Sequence, residues 1–288
     1  MKIRVPATTA NLGSGFDSFG LALSMYLEVE VCAKVENWHV EHQIAGLPSD
    51  ENNLIVKSLL YTAPETPPHH LKVITDIPTA RGLGSSSSAI VAGIELADKL
   101  NHLELSDSEK LELANSIEGH PDNVAPAILG GFVVSGITSE KVFAVSHQFI
   151  DADIVVIIPN YTLLTSSSRQ VLPQEMSYRQ AVAASSTANG LLAGFLTNNL
   201  KLVELLLEKD RWHEPFREHL VPELTHVRAL KQELNLPIIG SVLSGAGPTV
   251  LVLAQQGSGQ TVCRELSKHI KDCRITVLTV DMNGIMII

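Results

Sequence analysis

The stretch IPTARGLGSSSSAIVAGIELA, residues 77–97, joins two glycines and four consecutive serines to a segment with helical spacing. Ile90, Ile94 and Ala97 recur at the intervals of one helix face. Gly82 and Gly84 can take positive φ and let backbone N–H groups approach an anion. A helix that starts at the serines offers that anion its unsatisfied N–H groups and the positive end of its dipole. Serine hydroxyls add donors, and one can ligate Mg²⁺. The competing account is a glycine turn followed by a serine N-cap, and this stretch alone leaves both open. Neither standard phosphate motif is present. A P-loop requires a lysine after its last glycine, and a dinucleotide fingerprint requires a third glycine and an acidic residue about twenty positions on.

Two more segments are equally rich in small residues. PATTANLGSGFDSFG spans residues 6–20 and LSGAGPTV spans residues 243–250. Three such loops, each joined to a strand, are more than turn chemistry requires.

The chain around them has 288 residues, 45% of them hydrophobic, enough for one large domain or two smaller ones. Its formal net charge of −10 argues against a nucleic-acid partner, which needs a basic face. MKIRVPATTANLG has no apolar core of a secretory signal, and the apolar run IVVIIP is far too short to cross a bilayer. No membrane association and a cytoplasmic location are therefore expected, with Cys32, Cys263 and Cys273 as reduced thiols. His39, His42, His69 and His70 form no ligand cluster and are expected at the surface.

YLEVEVCAKV has strand period, with Leu27, Val29 and Val31 on one face. ENNLIVKSLLYTA reads as a helix, and HLKVITDIP as a strand ending at Pro78. LSDSEKLELANSIEG carries a capping box, Ser106 with Glu109, and stops at Gly119. In the second half, helices are expected over about 178–197, 200–208 and 221–234. Asn283-Gly284 between apolar runs is a hairpin signal. Strands and helices mix without strict alternation, which favours an α+β fold in two domains, residues 1–150 and 151–288.

The three loops, in this order, resemble the three motifs of the GHMP small-molecule kinases. The carrying residues are PATTANLGSGFD (6–17), GLGSSSS (82–88) and SGAGPT (244–249). EGHPDNVAPAILGG (118–131) and EPFREHLVP (214–222) resemble the branch that phosphorylates homoserine. The resemblance implies an N-terminal domain like ribosomal protein S5 domain 2 and a ferredoxin-like C-terminal domain, with ATP at the seam. It also implies transfer of phosphate from ATP to L-homoserine on the route to threonine, and leaves the oligomeric state, monomer or homodimer, open.

The roles it implies fall on named residues. Pro78, Thr79, Ala80, Arg81, Gly82, Leu83, Gly84, Ser85, Ser86, Ser87 and Ser88 would wrap the triphosphate, and Asn53, Leu54 and Ile55 would line the adenine site. Ser86 and Glu112 would hold Mg²⁺; Glu112 borders the apolar stripe of its helix, as a half-buried carboxylate would. Homoserine is a zwitterion, so Arg169 and Arg217 suit its carboxylate and Asp17 with Asn11 its ammonium. Thr165, His120, Asp122 and Asn123 would surround the reacting hydroxyl. Kinases for mevalonate and galactose carry an aspartate base at what aligns with Asn123, and an amide cannot take a proton. Direct attack by the substrate hydroxyl is therefore expected, with Asp122 as a general base the competing route. The alternatives are a GHMP kinase for another small alcohol, of mevalonate or shikimate type, and an inactive nucleotide-binding regulator on the same scaffold.

Overall fold

The computed structural model describes residues 1–139 and 141–288. The first half runs β1 (Lys2–Ala10), β2 (Phe19–Lys34), β3 (His39–Glu41), α1 (Leu54–Thr62), β4 (His69–Thr75), α2 (Ser85–Asn101), α3 (Asp107–Glu118), α4 (Pro121–Leu129), β5 (Phe132–Ile137) and β6 (Val142–His147). The second runs β7 (Ala152–Pro159), α5 (Thr165–Gln170), α6 (Tyr178–Leu196), α7 (Leu200–Leu206), α8 (Glu214–Arg217), α9 (Pro222–Glu233), β8 (Ile238–Leu243), β9 (Val250–Gln255), α10 (Gly259–His269), β10 (Cys273–Leu278) and β11 (Met286–Ile287).

Among the described residues there are two sheets. The first follows the order β11-β1-β2-β4-β3, with β5 on the opening of β2 and β6 beyond it. The second has the order β10-β7-β9-β8, all antiparallel. With α9 and α10 as its crossover helices, this is the ferredoxin-like arrangement. Strand β7 explains its own sequence. Ile154, Val156 and Ile158 point into the core shared with the first sheet, while Val155 and Ile157 pack beneath α9 and α10. A strand buried on both faces reads as a continuous apolar run.

Phe19, Phe132, Phe149 and Phe195 tie the halves together, with ring centroids 5.2–6.4 Å apart. Such pairs add about 0.5–1.5 kcal/mol each beyond burial.

Two local expectations fail. Asn283-Gly284 does not close a hairpin: Asp281 accepts from both of their N–H groups, and the chain passes from the second sheet back to the first. There Ile3 pairs with Ile287 and Arg4 with Met286, so the tail grouped with the second half in sequence is paired in the first sheet. His69 is buried at 4% exposure on β4, its ring against Trp38, rather than at the surface.

Candidate active site

The three small-residue loops meet, and their contacts are mutual. Thr8 N–H donates to Leu83 O (3.2 Å), Gly245 N–H to Ala10 O (3.1 Å) and Thr249 N–H to Arg81 O (3.2 Å). Ser244 Oγ donates to the Gly82 carbonyl at 2.5 Å and lies 2.8 Å from Thr9 Oγ1. The backbones approach so closely that a Cβ on Gly82 would strike the Ser244 carbonyl and one on Gly84 would strike Thr8. Ala80, Gly82 and Gly84 all have positive φ, at 53°, 75° and 67°. Alternation of this kind turns successive N–H groups to one side, a concavity suited to an anion. Gly84 is the N-cap of α2. Among the described residues, none accepts from the backbone N–H groups of Gly82 to Ser87, which line up at the positive end of that helix. Arg81 points elsewhere, donating to the carbonyls of Pro159 and Asn160 and so pinning the loop to the end of β7.

Ser88 and Leu83 are framework. The Ser88 hydroxyl is buried between the carbonyls of Pro6 (2.9 Å) and Gly84 (3.0 Å), and the Leu83 side chain lies in the core. Neither lines the cleft, nor does Pro78.

Glu112 is not brought to the site. Its carboxylate accepts from the N–H of Val142 at 3.3 Å, on β6. The carboxylate at the serines is Glu118, the last residue of α3, which accepts from Ser86 Oγ and Ser87 Oγ at 3.1 Å each. Glu112 and Glu118 lie six residues apart, so they leave the helix about 120° away from the same face. The resemblance had pointed to Glu112, which borders the apolar stripe of α3; Glu118 stands at the end of the same helix, just before Gly119 and the next one. Among the described residues, no group of three or more His, Cys, Asp or Glu is placed to hold a metal by protein ligands alone. A hydroxyl and one carboxylate fit an oxygen-seeking ion that keeps waters and phosphate oxygens in its shell, as Mg²⁺ does.

Helix α4 also starts at the cleft, behind Pro121. Asp122 is buried there, and its Oδ1 faces His120 Nδ1 at 2.9 Å and Asn123 Nδ2 at 3.4 Å. The hydrogen bond to Asp122 raises the His120 pKa above the ordinary histidine value, against an opposing desolvation effect. Thr8 Oγ1 donates to Asn123 Oδ1 at 2.8 Å, so with one N–H turned to Asp122 the Asn123 amide has a single N–H left to offer.

The far end of the cleft is built from charged side chains. Arg217 is 2% exposed, its Nε donating to Ser168 O (3.0 Å) and its Nη1 to Gly245 O (3.3 Å). Burial, then the charge of Arg169, lowers its pKa to about 10, so it stays a cation at neutral pH. His213 Nδ1 faces Arg217 Nη1 at 3.3 Å. A guanidinium can only donate, so Nδ1 accepts and Nε2 donates to Gly13 O at 3.0 Å. Burial lowers the His213 pKa, consistent with that neutral form. The ring of Phe16 stacks on His213 and has Arg217 at 5.3 Å and Arg169 at 5.6 Å over it. Arg169 forms a two-pronged ion pair with Asp17. Asn11 is engaged on both sides, accepting from Asp17 N–H and donating to Gly245 O at 3.0 Å each, so it orients Asp17 rather than presenting a free group. Thr165, the first residue of α5, closes this end.

A second, apolar cavity of about 290 Å³ adjoins the first and shares Ala80, Ser85 and Ser86 with it. Thr79, Asn53, Leu54 and Ile55 line it, and the Asn53 side chain caps α1 and donates to Pro48 O. Phe16, Glu118, Gly245 and Ala246 therefore complete a site whose other members were visible in sequence.

Matches to the GHMP kinases N terminal domain over residues 53–131 and to the GHMP kinases C terminal over residues 191–272 cover both halves of this arrangement. The chain belongs to the GHMP kinases. Its similarity narrows further. A homoserine kinase of Enterococcus faecalis is 47% identical over 288 residues, all of both chains. One of Listeria innocua is 48% identical across 99% of this chain and 98% of that one. The crystal structure of a homoserine kinase from Cytophaga hutchinsonii superposes with a TM-score of 0.85 at 26% identity, covering 100% and 97% of the two chains.

Proposed function

We propose that the chain transfers the terminal phosphoryl group of ATP to the side-chain hydroxyl of L-homoserine. The observation that carries this is the division of one cleft into a bed of unpaired main-chain N–H groups and an end that presents both signs of charge on side chains. A triphosphate suits the first. An acceptor with a carboxylate and an ammonium suits the second, through Arg217 and Arg169 for one and Asp17 for the other. The adjoining apolar cavity, beside Asn53 and Leu54, suits an adenine ring.

Bound Mg²⁺ would be held by Ser86 and Glu118 and would neutralise phosphate charge as it develops. The chain's own residues do the rest. His120, held by Asp122 at 2.9 Å, keeps its proton to a higher pH than an ordinary histidine, which suits it to stabilise developing charge. Asn123 offers its remaining amide N–H toward the transferring group. Asp122 is occupied in holding His120. The acceptor hydroxyl then attacks directly, its proton passing to a phosphate oxygen.

ADP release measured with homoserine, mevalonate and shikimate in parallel tests the acceptor. Turnover with homoserine at least about 100-fold above the others is expected; equal rates, or turnover only with a non-zwitterionic alcohol, would overturn the reading. For the route, Asp122→Asn should retain kcat within about 10-fold, and a loss of about 10³-fold would restore Asp122 as base.

A further inference from the structure

Arg169 and Arg217 share the Phe16 ring yet are held in opposite ways. Arg217 is buried and fixed by neutral partners: two carbonyls and a neutral imidazole. Its charge remains available to an incoming anion. Arg169 instead spends both Nη atoms on Asp17, at 3.1 and 2.7 Å. These side chains are 38% and 35% exposed, and both line the cleft. The anion and one of the two cations at the acceptor end therefore neutralise each other.

We propose that Asp17–Arg169 is an exchangeable ion pair that makes the site select molecules carrying an ammonium and a carboxylate together. This rests on the acceptor reading given above. A zwitterion entering the cleft breaks one ion pair and forms two, its ammonium taking Asp17 and its carboxylate taking Arg169 beside the already free Arg217. An alcohol with only a carboxylate must strand Asp17 or forgo Arg169, and one with only an amine must strand Arg169. Exposed pairs are cheap to break, whereas a charge left unpaired beneath a bound ligand that shields it from water is costly. Discrimination thus comes from what a wrong ligand leaves behind, as well as from the contacts it lacks.

The test uses two fragments of the substrate: 4-hydroxybutyrate, which is homoserine without its amine, and 3-aminopropan-1-ol, which is homoserine without its carboxylate. Dissociation constants are measured by calorimetry on the whole chain and on Asp17→Asn, Arg169→Gln and the double variant. Asp17→Asn should bind 4-hydroxybutyrate about 10-fold more tightly than the native chain, and that gain should vanish, within about 2-fold, when Arg169→Gln is already present. Arg169→Gln should show the mirror-image gain for 3-aminopropan-1-ol, absent when Asp17→Asn is already present. Gains of equal size in both backgrounds would mean simple charge repulsion and overturn the proposal, as would no gain. Failure of the native chain to bind L-homoserine would overturn the acceptor reading and this inference with it, whereas normal homoserine binding with additive effects would overturn the exchange alone.

Discussion

The two ends of the cleft recognise charge by different means. At the nucleotide end the donors are main-chain N–H groups, fixed by three interlocked backbones, and the nearest guanidinium, Arg81, is turned onto β7. At the acceptor end the charges sit on side chains drawn from the loop after β1, from α5 and from α8. A backbone bed cannot re-partner without unfolding its loop. Long side chains can. The donor end is thus set by the fold, and the acceptor end by residues that can be replaced one at a time.

The sharpest way to break this contrast is Gly84→Val. It combines a positive φ with a collision against Thr8, so activity should fall by about 10³-fold or more with loss of ATP binding by calorimetry. A variant that still bound ATP normally would show that the main chain is not the bed. Glu118→Gln keeps the side chain's size and one acceptor oxygen for the two serines but removes the charge. Its kcat should drop roughly 10²- to 10³-fold and recover in part at high Mg²⁺. Arg217→Gln should act only at the acceptor end, raising KM for homoserine between roughly 10- and 100-fold with KM for ATP unchanged. A parallel rise in both constants would erase the division between the ends. The pH profile is a smaller effect. Because the bond to Asp122 raises the His120 pKa, its cation persists to a higher pH than an ordinary histidine's and is lost as pH rises through the raised value. kcat should therefore fall on the alkaline side, and His120→Gln should flatten that limb at a cost of about 10-fold. Glu112→Gln is the control, within about 2-fold of the native chain.

The donor end was legible because glycine and serine carry their reason in their own chemistry. Gly82, Gly84 and the serines stay together in sequence and in space, and the capping box Ser106–Glu109 is likewise local. The acceptor residues Asp17, Arg169 and Arg217 could be nominated by charge, but not their partners. Nothing in the spacing says that Arg169 closes on Asp17, 152 positions away, or that Arg217 lies on a phenylalanine and a neutral histidine. Glu112 was nominated by resemblance and by its place beside an apolar stripe, and Glu118 was passed over because helix periodicity reports which side is buried, not which end meets another helix. The Asn283-Gly284 turn was misread for a related reason: a turn residue fixes a local bend, while the strand it joins is chosen by the first sheet's free edge along β1.

The bond from Ser244 to Gly82, beside Thr9, has a consequence for how the enzyme comes into being. Its ends lie 162 positions apart. A nascent chain that has emerged as far as residue 240 already possesses the glycines, the serines, Glu118 and every arginine of the pocket, yet lacks the strap that closes them together. Competence for nucleotide must therefore arrive late in synthesis and all at once, and a ribosome stalled just before Ser244 would leave a polypeptide with most of the right parts and no catalytic cleft.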